Sequence, residues 1–196
     1  MRYNELLNRI DEINRQDPNQ EQLEGQTVAK EYLYSQRMAD CLHRASPDAP
    51  ETLKIAVYAQ HINRWHIPRV DYPAGREGYL RWRRELAEHH ARLTADLMRQ
   101  CGYNDSEISE VCDLIRKKAL KSNPQSQTLE DVACLVFLEH YLGGMMKSHS
   151  DEKLAAIIGK TWKKMSENGR KQALKIDYTV AQRAVIEKAL GAEPCG

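Results

Sequence analysis

The chain has almost no net charge: 29 Lys and Arg against 28 Asp and Glu leave +1 over 196 residues. Nothing global therefore draws it to nucleic acid or to a membrane surface, and any electrostatic argument must be local. No apolar run approaches membrane-spanning length. The N-terminus, MRYNELLNRIDEINRQ, reads as an amphipathic helix and lacks the apolar segment of a secretory signal. The five cysteines, Cys41, Cys101, Cys112, Cys134 and Cys195, are odd in number and form no CxxC pair. The first four fall among apolar helical neighbours, as small buried hydrophobes in a reducing compartment do. No internal repeat, low-complexity tract or HExxH motif appears, and no stretch alternates as a strand should. The expectation is a soluble, cytoplasmic, non-membrane protein, 41% hydrophobic and so able to form a real core.

What is present is helical periodicity. Helices are expected over residues 3–15, 28–45, 51–64, 79–100 and 105–120. A sixth starts at Thr128, is apolar on every side from Val132 to Leu138, and ends at Gly143-Gly144. Shorter helices follow over 151–165, 167–174 and 180–190. The fold class is all-α, a single domain of about eight helices. Residues 1–27 are its N-terminal helix and linker, 28–143 its core and 144–196 its C-terminal helices.

One stretch departs from this pattern: QHINRWHIPRVDYPAGREGYLRWRR, Gln60 to Arg84. It holds six arginines interleaved with Trp65, Tyr72, Tyr79 and Trp82, and Pro68, Pro73, Gly75 and Gly78 interrupt any helix. Guanidinium groups suit carboxylate or phosphate, and aromatic faces suit a planar ring. Arg64, Trp65, Arg69, Arg76, Tyr79, Trp82 and Arg84 are the candidate ligand-binding residues. A loop pinned by its own arginines is the alternative.

Three polar residues fall on inward stripes. His61 lines up with Leu53 and Val57; His90 with Leu86, Leu93 and Leu97; Asp131 heads the most apolar helix. Two histidines and a carboxylate from three helices suit zinc or a transition metal. Each also has an ordinary reading. Thr128-Leu129-Glu130-Asp131 resembles a capping box, and either histidine is compatible with a hydrogen-bonded core position. Glu31 shares a stripe with Tyr34, Met38 and Cys41, an uncommon place for a carboxylate.

From about Glu31 to Leu190 the chain resembles the domain-of-unknown-function 4202 family. The segments that carry the resemblance are YSQRM at 34–38, AQHINRW at 59–65, IPR with the following YP at 67–73, and GYLRWRREL at 78–86. They continue with His90-Ala91, LEDVACLVFLEHY at 129–141 and KTWKKMSENG at 160–169. More distantly, the order of segments resembles the HD-domain metal-dependent phosphohydrolases. That resemblance implies an HD-like helical fold, a divalent metal ion held by His61, His90 and Asp131, and catalysis by Asp131 and His61. Tyr34 stands where the first histidine is expected and Ile62 where the aspartate of the His-Asp pair is expected, so Glu31 is the candidate replacement ligand. The implied activity is hydrolysis of a phosphate-bearing small molecule or nucleotide. The alternative is a non-catalytic HD-like module that binds a nucleotide or RNA through the arginine-rich loop. Lys117, Lys118, Lys121, Lys163 and Lys164 would extend its basic surface.

Overall fold

The computed structural model describes residues 1–118 and 122–191. Lys121 and Cys195 lie outside the described residues. Ten α-helices and one two-stranded hairpin make up the regular structure among them, so the chain is all-α as expected. It divides into two compact units, Met1–Ser126 and Gln127–Gly196.

In the first unit, α1 (Arg2–Asn14) is followed by β1 (Gln20–Leu23) and β2 (Gln26–Ala29), then α2 (Lys30–Ala45), α3 (Glu51–Tyr58), α4 (Gly75–Gln100) and α5 (Asp105–Ile115). The antiparallel hairpin corrects the expectation of no strand: Leu23 pairs with Gln26 across Glu24 and Gly25. Both turn residues have positive φ, 50° and 81°, the backbone of the tight turn that matches strand twist. Helix α2 packs on α3, and α3 and α4 both pack on α5. Between them Leu6, Ile10, Met38, Ile55, Ile62, Met98, Leu114 and Ile115 are fully buried. Asn104 caps α5, accepting from the Glu107 amide while the Glu107 carboxylate accepts from the Asn104 amide.

Two boundaries differ from expectation where they matter for the site. Helix α3 ends at Tyr58, not Arg64. Turns and a short 3-10 segment, Arg64–His66, follow. Asn63 stands at φ 53°, ψ 35°, and its amide donates to Asn14 Oδ1 at 3.0 Å, which fixes the chain where it leaves the helix. Helix α4 begins at Gly75, four residues before the expected start. Gly78 makes that early start possible, since a Cβ there would sit 2.0 Å from the Pro73 carbonyl oxygen.

The second unit takes in α6 (Pro124–Val136) from Gln127 onward, a π-helical turn Phe137–Tyr141, α7 (Leu142–Met146), α8 (Asp151–Lys164), α9 (Glu167–Ala173) and α10 (Val180–Leu190). Gly143-Gly144 does not end the helix, which continues as α7 to Met146. Leu129, Val132, Leu138 and Leu142 are buried, as the apolar run required. Helices α8 and α10 pack together, and Leu154, Ile158 and Ile186 on them are buried. Ser150, Ser166 and Thr179 cap α8, α9 and α10 with their side chains. Cys41, Cys101, Cys112 and Cys134 are buried, as expected.

Candidate functional site

The first unit gathers polar side chains around the N-terminus of α2. Asp17 is buried and accepts the Glu31 amide at 3.0 Å, with Asn19 donating to its other oxygen. That satisfies one amide of the exposed first turn of α2 and sets where Glu31 points. Asn14 on α1 donates to Ser35 Oγ at 3.0 Å, and Ser35 donates to the Glu31 carbonyl oxygen. The same Asn14 receives the Asn63 amide. One buried asparagine thus ties α1, α2 and the segment after α3 into a frame. Sequence reasoning missed Asn14, Asp17 and Ser35. The available signal was two small polar residues, Asn14 and Ser35, at positions that helical periodicity turns inward; Asp17 lies beyond the end of α1.

Within this frame lies a chain of three charged or titratable groups. His61 Nδ1 is 3.0 Å from Glu31 Oε2, and Arg64 Nη1 is 2.9 Å from His61 Nε2. Arg64 Nε lies 3.7 Å from Glu31 Oε1. A guanidinium only donates, so Nε2 must be the acceptor and the ring proton must sit on Nδ1, donating to Glu31. His61 is therefore neutral with a defined tautomer. Burial pushes its pKa well below the usual histidine range, and Arg64, Arg83, Lys117 and Lys30 push the same way. Glu31, whose side chain is 7% exposed, goes in the other direction. Burial raises its carboxyl from 4.5 to about 7, against the pull of Arg64 and Lys30.

Tyr34 lies flat on His61, with ring centroids 3.9 Å apart and an interplanar angle of 10°. The position at which the HD resemblance expects a histidine supplies a stacking platform instead. His90 stands behind, 6.2 Å from His61 between centroids. Its Nδ1 donates to the Ile62 carbonyl oxygen at 2.7 Å, while Nε2 is buried with no partner. Burial holds its pKa well below the usual range.

The arginine-rich stretch divides into clasp and site. Arg69 donates to the Tyr72 and Pro73 carbonyl oxygens at 2.8 and 2.9 Å, holding the loop to itself. Arg81 pairs with Glu85 at 2.8 Å, and Tyr72 donates to the same carboxylate. A cleft of about 450 Å³ lies beside these groups, bordered by His66, Asp71, Tyr72, Arg81 and Glu85. Its two carboxylates and paired arginine make it a poor anion site. Trp82 is buried, donates to the Ile67 carbonyl oxygen, and carries the Arg64 guanidinium 5.0 Å from its ring centroid. It serves as a wall for Arg64, not as an open surface for a base. Tyr79 is half-exposed beside it, with centroids 5.9 Å apart. Trp65 is half-buried, and Arg76 and Arg84 are exposed on α4. Of the expected anion ligands only Arg64 enters the cluster. Arg83 is exposed on α4, and its charge acts on both His61 and Arg64.

Asp131 has a separate role in the second unit. One oxygen accepts from the Ser166 amide at 2.8 Å and from Gln127 Nε2 at 3.0 Å, and the other accepts from Ser166 Oγ. A Cβ on Gly169 would lie 2.6 Å from the Asp131 carboxyl carbon. Asp131 therefore seats the start of α9. It does not cap its own helix, which begins seven residues earlier, at Pro124. Lys118 pairs with Asp113 and Lys164 with Glu130.

These placements decide whether the residues suit the metal that the HD resemblance implies. Among the described residues, no group of three or more His, Cys, Asp or Glu is arranged to hold a metal ion. His61 Nε2, the lone pair a cation would need, is filled by a guanidinium, whose charge would also repel the cation. Both Glu31 oxygens face His61 or Arg64, and the Asp131 oxygens are committed to Ser166 and Gln127. As arranged, the residues do not fit a resident metal.

The chain belongs to the family described as domain of unknown function (DUF4202), whose sequence profile matches residues 4–186. Neither a curated protein nor a solved structure matches it. No helix among the described residues is long and apolar enough to cross a membrane.

Proposed function

We propose that the first unit binds a phosphate-bearing small molecule or nucleotide at Arg64 and Arg83 and hydrolyses it, with Glu31 and His61 as the acid–base pair. The observation that carries this reading is the buried Glu31–His61–Arg64 chain. A buried carboxylate costs several kcal/mol unless it has partners, and this one is kept beside a neutral histidine. The Nδ1 proton on Glu31 orients the imidazole and stabilises its protonated form, so Nε2 is the base that takes a proton from water. The water oxygen then bonds to phosphorus as the phosphoester bond breaks, and His61 returns the proton to the leaving oxygen. Arg64 and Arg83 offset the charge on the phosphoryl oxygens. The distant HD resemblance favours the same reaction, here performed by side chains of this chain.

A second reading has a specific observation behind it. Arg64 occupies the basic nitrogen, as suits a module that binds a nucleotide or RNA without turnover. A thermal-shift screen of inorganic phosphate, sugar phosphates and nucleotides, followed by phosphate release from the stabilising compounds, separates the two. Hydrolysis predicts stabilisation that is lost in Arg64→Ala, and release that is lost in His61→Gln. Binding without turnover predicts stabilisation and no release, with salt-dependent retention of RNA if that is the ligand. Stabilisation that persists unchanged in Arg64→Ala places the anion elsewhere and removes both readings.

A further inference from the structure

The contact between Arg64 and His61 Nε2 blocks the atom that must act as the base. A neutral imidazole is a modest acceptor for a guanidinium, whereas a phosphoryl oxyanion is a strong one, able to engage two of its N–H groups. Arg64 is only loosely tied to Glu31, at 3.7 Å. It sits in a three-residue 3-10 turn immediately after the left-handed Asn63, with its guanidinium over the Trp82 face. The Trp82 indole is itself fixed by the Ile67 carbonyl oxygen. A small rotation of the Arg64 side chain would therefore release Nε2 while the Trp82 wall stays in place. His90 stands alongside, with its ring centroid 6.2 Å from that of His61. Its Nε2 is buried, unpartnered, and held as an acceptor because Nδ1 donates to Ile62.

We propose that Arg64 is a removable cap on His61: without ligand it fills Nε2, and a bound phosphoryl oxyanion draws it away, so the base is exposed only when the ligand is in place. His90 Nε2 then accepts a hydrogen bond from a donor that arrives with the ligand, either the attacking water or a ligand hydroxyl. The inference rests on the phosphate reading above. It adds that the ligand must carry an oxyanion able to compete with an imidazole for Arg64, and that the unliganded protein is protected from idle proton exchange at His61.

The groups that face His61 set the sign of the test. Glu31 and Tyr34 from α2, Arg64 from its own turn and His90 from α4 stand against it, and Lys30, Arg83 and Lys117 act on it by charge. Removing the Arg64 charge leaves Glu31 as the nearest charged group, so the His61 pKa must rise. The experiment is nitrogen NMR of the intact chain labelled at histidine and arginine, titrated with pH in the absence and presence of saturating inorganic phosphate. The wild type without phosphate should show the Nδ1–H tautomer and a depressed His61 pKa. Phosphate should raise that pKa and free Nε2. Arg64→Ala, or Arg64→Gln if the alanine variant does not fold, should show the raised pKa with no phosphate added. If phosphate binds, as side-chain resonances of Arg64 and Arg83 report, but the His61 titration does not move, the cap is overturned and the phosphate reading stands. If no arginine or histidine responds to phosphate, the phosphate reading fails and the cap with it. An unchanged His61 titration in the folded Arg64 variant overturns the cap whatever phosphate does.

Discussion

Replacing Glu31 with glutamine should leave the protein within about 1 kcal/mol of the wild type at pH 5 and clearly more stable at pH 8. In the fold, burial raises the Glu31 carboxyl from 4.5 to about 7. Because the folded pKa is the higher one, the folded state holds this proton more tightly than the unfolded chain. That stabilisation is fully present below pH 4.5 and is lost as pH rises through about 7. At about 1.4 kcal/mol for each pH unit, the whole change is about 3 kcal/mol. Glutamine keeps an oxygen to accept the His61 Nδ1 proton and never carries the charge, so it escapes the loss. His61 and His90 work in the opposite sense. Their depressed pKa values stabilise the fold above pH 6.5 and cost stability as pH falls below it. Comparing wild type with variant at each pH removes most of that contribution. Urea denaturation at pH 5, 6, 7 and 8 is the assay. The gap in favour of Glu31→Gln should widen by about 2.5 kcal/mol from pH 5 to pH 8. Parallel profiles, or a variant that is less stable at pH 8, would refute the reasoning. A carboxylate that destabilises its own fold at neutral pH suits a functional residue better than a packing one.

Other outcomes follow from the same geometry. Asp131→Ala should destabilise the second unit by about 2–4 kcal/mol, because it strips charge-assisted bonds from Ser166 and the start of α9. It should leave the His61 titration unchanged; a fall in stability below about 0.5 kcal/mol would contradict the seating role, as thermal denaturation would show. Gly78→Ala should cost about 1–3 kcal/mol, because the new methyl meets the Pro73 carbonyl oxygen and the loop must move. Faster amide exchange over residues 67–78 would locate that effect, and exchange rates equal to wild type would argue against it.

How much of this was legible beforehand depends on what each residue's signal reports. Apolar periodicity reports which face of a helix is covered, and it placed His61 and His90 beside buried neighbours and Glu31 on an inner stripe. Periodicity says nothing of what a polar side chain meets once inside. Asp131 looked like a metal ligand or a cap of its own helix. It seats another helix, because its partner Ser166 comes from 35 residues further along. The start of α4 was masked by Gly75 and Gly78, usually helix breakers; Gly75 takes a left-handed φ of 86°, and the lack of a side chain at Gly78 permits the close approach of Pro73. The hairpin went unseen because its residues are mostly polar and none is buried. Only Glu24-Gly25 marked it, as a turn. Within the arginine-rich stretch, the sequence could count guanidinium groups but could not sort them. Arg69 closes the loop on itself, Arg81 pairs along the helix, and Arg64 alone of the expected ligands reaches the cluster.

The measurement that bears most directly on the central claim is a crystal structure of the full chain soaked in tungstate, a heavy mimic of phosphate located by its anomalous scattering. The account predicts tungstate within hydrogen-bonding distance of the Arg64 guanidinium, Arg64 withdrawn from His61 Nε2, and His61 still bonded to Glu31. Tungstate bound only away from Arg64, with the Arg64–His61 contact intact, would contradict it.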